Sequence, residues 1–350
     1  MEAPMNNGMP DIALENNIAL ENRGCPIGCD GGDDIVLSGH DRLHGLPGEF
    51  TLVRCRRCGL MRTNPRPTPE TIGLYYPDDY GPYQGTRVDL SDVSSRRRAY
   101  SYLKRLGRAA LQTNTQCLPD LPPGRMLEIG CASGSFMHEM AARGWEVEGV
   151  EFSSHAAESA RALGYPVYAG ALESAPDPGK PYDLVVGWMV MEHLHDPVGA
   201  LRKLHKWVKP GGWLAVSVPN AAALEFRFFK TAWYALQLPT HLYHYTPRTL
   251  GLVLQKGGWR MEGLRHQRVI RNLVSSTGYL LQDRKKLLKL AELLVDFPER
   301  AGTKGKMALY PFAYILSLFG QTGRMTVWAR RSDDLSGPGT KGRTNSLTGQ

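Results

Sequence analysis

Glu128, Gly130, Gly134 and Glu151 are the residues whose types and spacing best suit the holding of a small ligand. Residues 126–136 (Met-Leu-Glu-Ile-Gly-Cys-Ala-Ser-Gly-Ser-Phe) read as an apolar strand, a tight turn of small residues, and the start of a helix running to about Arg143. Glycine at 130 and 134 lets the backbone turn sharply and approach a ligand where a Cβ would clash. Such a strand–turn–helix forms a ligand crevice at the carboxyl end of a first parallel strand. A dinucleotide fingerprint, G-x-G-x-x-G from Gly130, would need glycine where the chain has Ala132 and Ser135. Glu128 argues against a pyrophosphate as well, since a carboxylate beside the turn repels it; a ligand with a cationic end is suited instead. Seventeen residues after Gly134, the run 147–151 reads as a second strand closing on Glu151, an acid placed to accept hydrogen bonds from ribose hydroxyls.

An acid followed by x-G-x-G-x-G, with a second acid closing the next strand, resembles the class I S-adenosylmethionine (SAM)-dependent methyltransferases. SAM carries an ammonium and a sulfonium and no phosphate. The chain departs from the family motif at Ala132, which stands where the middle glycine would be. The resemblance implies cofactor contacts from Glu128, Gly130, Cys131, Ala132, Gly134, Glu151, Phe152, Ala171, Leu172, Trp188 and Met189. It also implies an α/β fold, a Rossmann-like seven-stranded sheet whose final strand is antiparallel, over about 125–268 plus a strand near 325–330.

On the acceptor side, the expected strand 182–188 runs into Met189-Val190-Met191-Glu192-His193-Leu194. Ligands bind outside the carboxyl ends of such strands. The run resembles the Glu-His-Leu stretch of small-molecule methyltransferases, including the ubiquinone O-methyltransferases. Some of these add an acid three positions earlier that helps hold a divalent ion; here that position is Met189. Nucleobase amino-methyltransferases use an Asn/Asp-Pro-Pro-aromatic turn, and Gly187-Trp188-Met189-Val190 is not one. His193 is the first candidate for a general base and His241, in the aromatic and histidine-rich run 238–246, the second. The structural alternative for His193 is packing at the start of the helix opened by Asp196-Pro197.

Cys25 and Cys29, then Cys55 and Cys58 with Gly59 behind them, have the spacing of a four-cysteine zinc ribbon. The first pair is C-x₃-C, so His40 or His44 could displace one ligand. Four protein ligands close a zinc site, which makes the expected ion structural.

The elements that position these groups follow from the pattern. Strands are expected at 125–129, 146–151, 166–168, 182–188, 213–218, 259–267 and 325–330, with helices at 134–143, 154–163, 197–208 and 247–256. Lys209-Pro210-Gly211-Gly212 reads as a helix stop and turn. The expected organisation is a disordered leader over 1–22, a zinc-ribbon module over 23–70, a connecting aromatic and helical segment over 71–123, a SAM-binding domain over 124–331 and a disordered tail over 332–350. The connecting segment holds Tyr75, Tyr76, Tyr80 and Tyr83, then a helix from Asp92 to about Thr113 bearing Arg96, Arg97 and Arg98. The insertion at 271–323 carries a leucine-rich helix over 280–295, broken by Pro298, and an apolar run at 307–319 flanked by basic residues. It is expected to form a lid over the acceptor entrance, with peripheral membrane contact as the lesser option.

The chain has 350 residues, 42% hydrophobic and 22% charged, with a formal net charge of +8. That is enough to bury a sizeable core and hold one large domain with a small one. The first twenty residues lack the apolar core of a secretory leader, and no apolar run reaches the roughly 20 residues of a membrane span. Six cysteines, four at ligand spacing, point to a reducing cytoplasm, peripheral to a membrane at most. The reading is therefore a SAM-dependent methyltransferase with structural Zn²⁺ and a small-molecule, glycan or lipid-linked acceptor, most simply a hydroxyl. Its rivals are an RNA methyltransferase, a zinc-bearing sugar C-methyltransferase, and a SAM-binding protein without turnover.

Overall fold

The computed structural model describes residues 18–76, 116–297 and 307–332. Its centre is a seven-stranded sheet of β6 (Arg125–Ile129), β7 (Glu146–Glu151), β8 (Val167–Ala169), β9 (Tyr182–Trp188), β10 (Val208–Pro219), β12 (Trp259–His266) and β13 (Arg324–Arg331). The order across it is β12-β13-β10-β9-β6-β7-β8. β8, β7, β6, β9 and β10 pair in parallel, while β13 runs antiparallel to both β10 and β12. The expected antiparallel last strand is therefore present, inserted between its neighbours.

The middle strands are continuous apolar runs because both faces of a parallel sheet are covered. Leu184, Val185 and Val186 of β9 and Leu214, Ala215 and Val216 of β10 have no exposed surface. One face packs Met126, Val147 and Val186 against Phe136, Met137 and Met140 of α1 (Ser135–Ala141) and Ala157 and Ala160 of α2 (Ser154–Ala162). The opposite face packs Leu127, Ile129, Val185 and Val216 against Leu201 and Leu204 of α3 (Pro197–Trp207) and, with them, Leu250 and Leu254.

Helix starts follow their capping residues. Ser153 accepts from the Ala156 amide at the head of α2, and Asp196 from the Gly199 amide at the head of α3. Pro197 occupies the first turn of α3, where no amide is needed. The stretch 209–212, expected as a turn, is an irregularity inside β10: pairing to β9 shifts between Val208 and Trp213, with Gly211 at φ +70°. After β10 come α4 (Leu224–Phe229), the two-residue strand β11 (Tyr243–His244) and α5 (Pro247–Lys256), which carries Leu250 and Leu254.

The N-terminal segment forms β1 (Leu20–Glu21), β2 (Asp33–His40), β3 (Glu49–Cys55), β4 (Met61–Thr63) and β5 (Arg66–Pro67). Residues 20 and 21, read from sequence with the leader, pair with β5. The four-stranded sheet β11-β4-β3-β2 takes its edge strand from the loop after β10, so the cysteine-bearing hairpin and the central domain share a sheet. A core of Phe50, Leu52, Met61 and Tyr75 packs there with Phe226, Phe229, Trp233 and Tyr279. Arg66, 2% exposed, ties the two parts together: it donates to Glu21, to the Tyr243 hydroxyl (3.1 Å) and to the His195 carbonyl (2.9 Å).

In the insertion, α6 (Arg271–Asp283) and α7 (Leu288–Val295) replace the single helix expected over 280–295, because the chain breaks at 284–287 with Lys285 and Leu287 in the left-handed region. The apolar run forms α8 (Tyr310–Leu318). The leader before residue 18, the helix expected over 92–113 with Tyr80 and Tyr83, Pro298 and the tail after 332 lie outside the described residues.

Arg66→Leu should lower stability by roughly 2–4 kcal/mol, since it strands buried hydrogen-bond partners on both sides of the junction. Urea unfolding measures it, and a change below about 0.5 kcal/mol would mean the junction does not need the guanidinium.

Candidate active site

The turn expected to cradle a ligand has a left-handed backbone at three places: Gly130 (φ +66°), Ala132 (φ +47°) and Gly134 (φ +79°). A Cβ at Gly130 would come within 2.5 Å of Val190 Cγ2, and one at Gly134 within 2.9 Å of Ala160 Cβ. Alanine in the middle position accepts a strain of about 1 kcal/mol that glycine would not carry. The strain is offset by a hydrogen bond: the Ala132 amide donates to Glu151 Oε2 at 2.8 Å, while Oε1 of the same carboxylate accepts from Ser153 at 2.9 Å. Glu151 thus pins the turn to the end of β7, and each of its oxygens keeps a second lone pair for a ligand.

Glu128 is 3% exposed, and its Oε2 has no hydrogen-bond partner. Burial, and after it the Glu151 charge, hold its carboxyl well above the ordinary value; burial raises Glu151 as well. Two buried carboxyls at one strand edge suit a cationic ligand, which fits the ammonium and sulfonium of SAM. Around them sit Cys131, buried, with burial raising its thiol; Phe152, exposed; and Ala171 and Leu172, just after β8. Trp188 ends β9 with its indole N–H unpaired and its ring 5.3 Å from Phe136, and Met189 follows at φ +60°. All the predicted cofactor residues therefore gather at the carboxyl edge formed by β8, β7, β6 and β9.

His193 and His241 come together beside this edge, ring centroids 4.8 Å apart. Nδ1 of His193 lies 2.9 Å from the Thr240 carbonyl and 2.9 Å from the Tyr76 hydroxyl. A carbonyl only accepts, so Nδ1 carries the proton and Nε2 is left with its lone pair. Nδ1 of His241 donates in the same way to the Ala235 carbonyl (2.9 Å). Burial lowers His193 to about 4 and holds His241 well below its ordinary value, so both rings are neutral at pH 7. The loop carrying His241 is held by the N-terminal sheet: Thr63 donates its hydroxyl to the His241 carbonyl (2.8 Å) and its amide to the Leu242 carbonyl (3.0 Å).

Two groups that the sequence reading named without a role at this site lie beside the histidines. Tyr76 reaches His193 across 117 residues of chain, a contact no local spacing encodes. Glu192 is fully buried with both oxygens unpaired, and burial pushes it to about 8 against the attraction of Arg324. One ligand atom each from Glu192, His193 and His241 lies within 4.8 Å of the others, a set able to hold a divalent ion without the acid missing at 189.

The four cysteine sulfurs also lie within 4.8 Å of one another, and neither His40 nor His44 belongs to that group. A tetrahedral zinc with ~2.3 Å bonds needs sulfurs about 3.8 Å apart, so the donor set fits. Gly28 (φ +88°) and Gly59 (φ +81°) make the two turns, their amides bonded to the Cys25 and Cys55 carbonyls. Arg62, buried in β4, grips Asp33 through both guanidinium nitrogens (2.9 and 2.6 Å) and so locks the hairpin between the pairs. Burial raises the Cys29 and Cys58 thiols; against the same burial, the backbone amides of Cys58 and Arg57 bring Cys55 down to about 7.

Residues 96–263 match a family model described as a methyltransferase domain. A ubiquinone biosynthesis O-methyltransferase of Burkholderia vietnamiensis is 32% identical over 112 residues, 30% of this chain and 48% of that protein. One of the same name from Alkalilimnicola ehrlichii is 35% identical over 131 residues, 35% of this chain and 53% of that protein. The chain thus spans about half the length of the curated relatives it matches. A SAM-dependent methyltransferase structure from Mesorhizobium loti aligns at 19% identity with a TM-score of 0.41, over 64% of this chain and 96% of that one.

A cationic ligand favours the ionised form of Glu128, whose carboxyl is raised, so SAM affinity should rise with pH through that raised value. In Glu128→Gln the pH dependence should flatten, and in Glu151→Ala affinity should fall by roughly 1–3 kcal/mol. Calorimetric titration across pH checks both; unchanged affinity in the two variants would remove the site from this edge.

Proposed function

We propose that this chain is a class I SAM-dependent methyltransferase that transfers a methyl group to a hydroxyl oxygen of a small-molecule acceptor. The observation that carries the reading is the hydrogen bonding of His193: its Nδ1 proton is committed to Thr240, burial keeps the ring neutral, Nε2 keeps its lone pair, and the residue stands three positions after Val190, which packs against Gly130. The names of the two curated relatives support oxygen as the acceptor atom.

SAM, when bound, supplies a methyl on a positively charged sulfur. Transfer to oxygen requires the acceptor about 3–3.5 Å from that carbon and in line with the breaking bond. Glu128 and Glu151 supply the negative edge that orients the cationic ligand, and Trp188 and Phe136 wall it on the β9 side. His193 Nε2 takes the hydroxyl proton as the oxygen becomes bonded to carbon. Tyr76 and Thr240 hold the ring so that Nε2, rather than Nδ1, meets the acceptor. His241, packed edge-on against His193, blocks rotation of that ring and keeps the surroundings uncharged. Zinc in the cysteine cluster would act at a distance, by fixing the hairpin whose β4 holds the His241 loop.

Two variants test the base. His193→Ala should reduce turnover by about 10²–10⁴ with SAM affinity within a few-fold of the parent. Tyr76→Phe should lower kcat more than it changes KM. Product analysis with methyl-labelled SAM and a metabolite extract identifies the bond formed; label on carbon or nitrogen, or full turnover in His193→Ala, would overturn the reading.

Metal analysis should find about one zinc per chain. Cys55→Ser combined with Cys58→Ser should lose it and loosen the N-terminal sheet, because closed zinc sites supply folding energy directly. Metal-free protein with an intact N-terminal sheet would refute the zinc assignment.

A further inference from the structure

In the insertion between β12 and β13, α6 packs on the core while α7 and α8 turn apolar side chains outward. α8 meets the rest of the protein through buried Ala313 and through Tyr310 and Tyr314, which engage the Arg268 guanidinium at 3.1 Å (hydroxyl) and 4.4 Å (ring centroid). Its other side carries Phe312, Ile315, Leu318 and Phe319 at three- and four-residue spacing, between 48% and 73% exposed. No charged residue lies in α8. α7 repeats the arrangement: Ala291 is buried close against Gly278 of α6, and Leu287, Leu288, Leu290 and Leu293 are exposed at or beside the helix.

A lid buries such side chains on its own domain; these eight face solvent, four at α7 and four at α8. Basic residues accompany the leucines at α7. Arg284, Lys285, Lys286 and Lys289 are exposed, against one exposed acid, Glu292, over 284–293, a local excess of 4 − 1 = +3. The neighbouring Asp283 is already paired with Arg42 at 2.7 Å.

We propose that α7 and α8 form a membrane-docking face, pressing their apolar side chains into the headgroup boundary of an anionic bilayer while the 284–289 cations meet the lipid phosphates. The charge selects this occupant. A second copy meeting the same face across a two-fold axis would set +3 against +3, whereas an anionic lipid surface complements both the cations and the leucine and phenylalanine side chains. The contact is peripheral, since among the described residues no helix is long and apolar enough to cross a membrane.

Flotation of the full chain with phosphatidylcholine vesicles, with and without phosphatidylglycerol, tests the proposal. The protein should float with the phosphatidylglycerol vesicles, and less so as salt is raised. Lys285→Gln, Lys286→Gln and Lys289→Gln should each weaken partitioning by roughly fivefold. The triple variant Phe312→Ser, Leu318→Ser, Phe319→Ser should abolish it while melting at the parent's temperature. Failure of the parent to float with anionic vesicles overturns the proposal. So does undiminished flotation of the folded triple variant, or a lipid-free dimer in light scattering that the serine substitutions dissociate.

Discussion

The structure depends most on carboxylates buried without a hydrogen-bonded ion-pair partner. Glu128 near the carboxyl end of β6 and Glu192 just after β9 are each shut off from water with carboxylate oxygens that have no hydrogen-bond partner among the described residues. An ionised carboxylate in such a place is costly, and the protein meets that cost by raising both groups toward neutrality. A well-packed domain without a ligand to hold would place leucine at either position and gain stability. A cationic ligand at that edge, as in the proposed reading, would favour the ionised form of these carboxyls.

Glu151 shows how the fold makes room for this. It is buried like Glu128, but its oxygens are met by the Ala132 and Ser153 amides, so it clamps the turn. That clamp lets a residue with a Cβ occupy the left-handed conformation at 132. Met189, left-handed again at the end of β9, places a second strained residue on the same rim. Left-handed residues and unpaired carboxyls thus lie together along one edge of the sheet.

The N-terminal hairpin is built into that edge. β4 takes β11 as its partner, Thr63 holds the His241 backbone, Arg66 bridges to Tyr243 and His195, and Tyr76 reaches His193. Loosening the cysteine cluster would pass through β4 to the two histidines, so a site that only folds the hairpin still bears on the geometry of the proposed base.

Sequence alone determined what depends on neighbours in the chain. The strand–turn–helix of 126–136 is legible because glycine spacing and apolar runs act locally, and the seven strands of the central sheet fall within two residues of their expected places apart from the early start of β10 at Val208. The two cysteine pairs are legible because each pair is a single turn. Tertiary structure decided what depends on partners far apart in the chain: Thr63 with His241 across 178 residues, Tyr76 with His193 across 117. It decided which nitrogen of His193 carries the proton, because a carbonyl from another loop is the acceptor. It also turned the leucines and phenylalanines of α7 and α8 outward, a choice that helical periodicity leaves open, since an apolar stripe has the same spacing whether it faces a core or a bilayer.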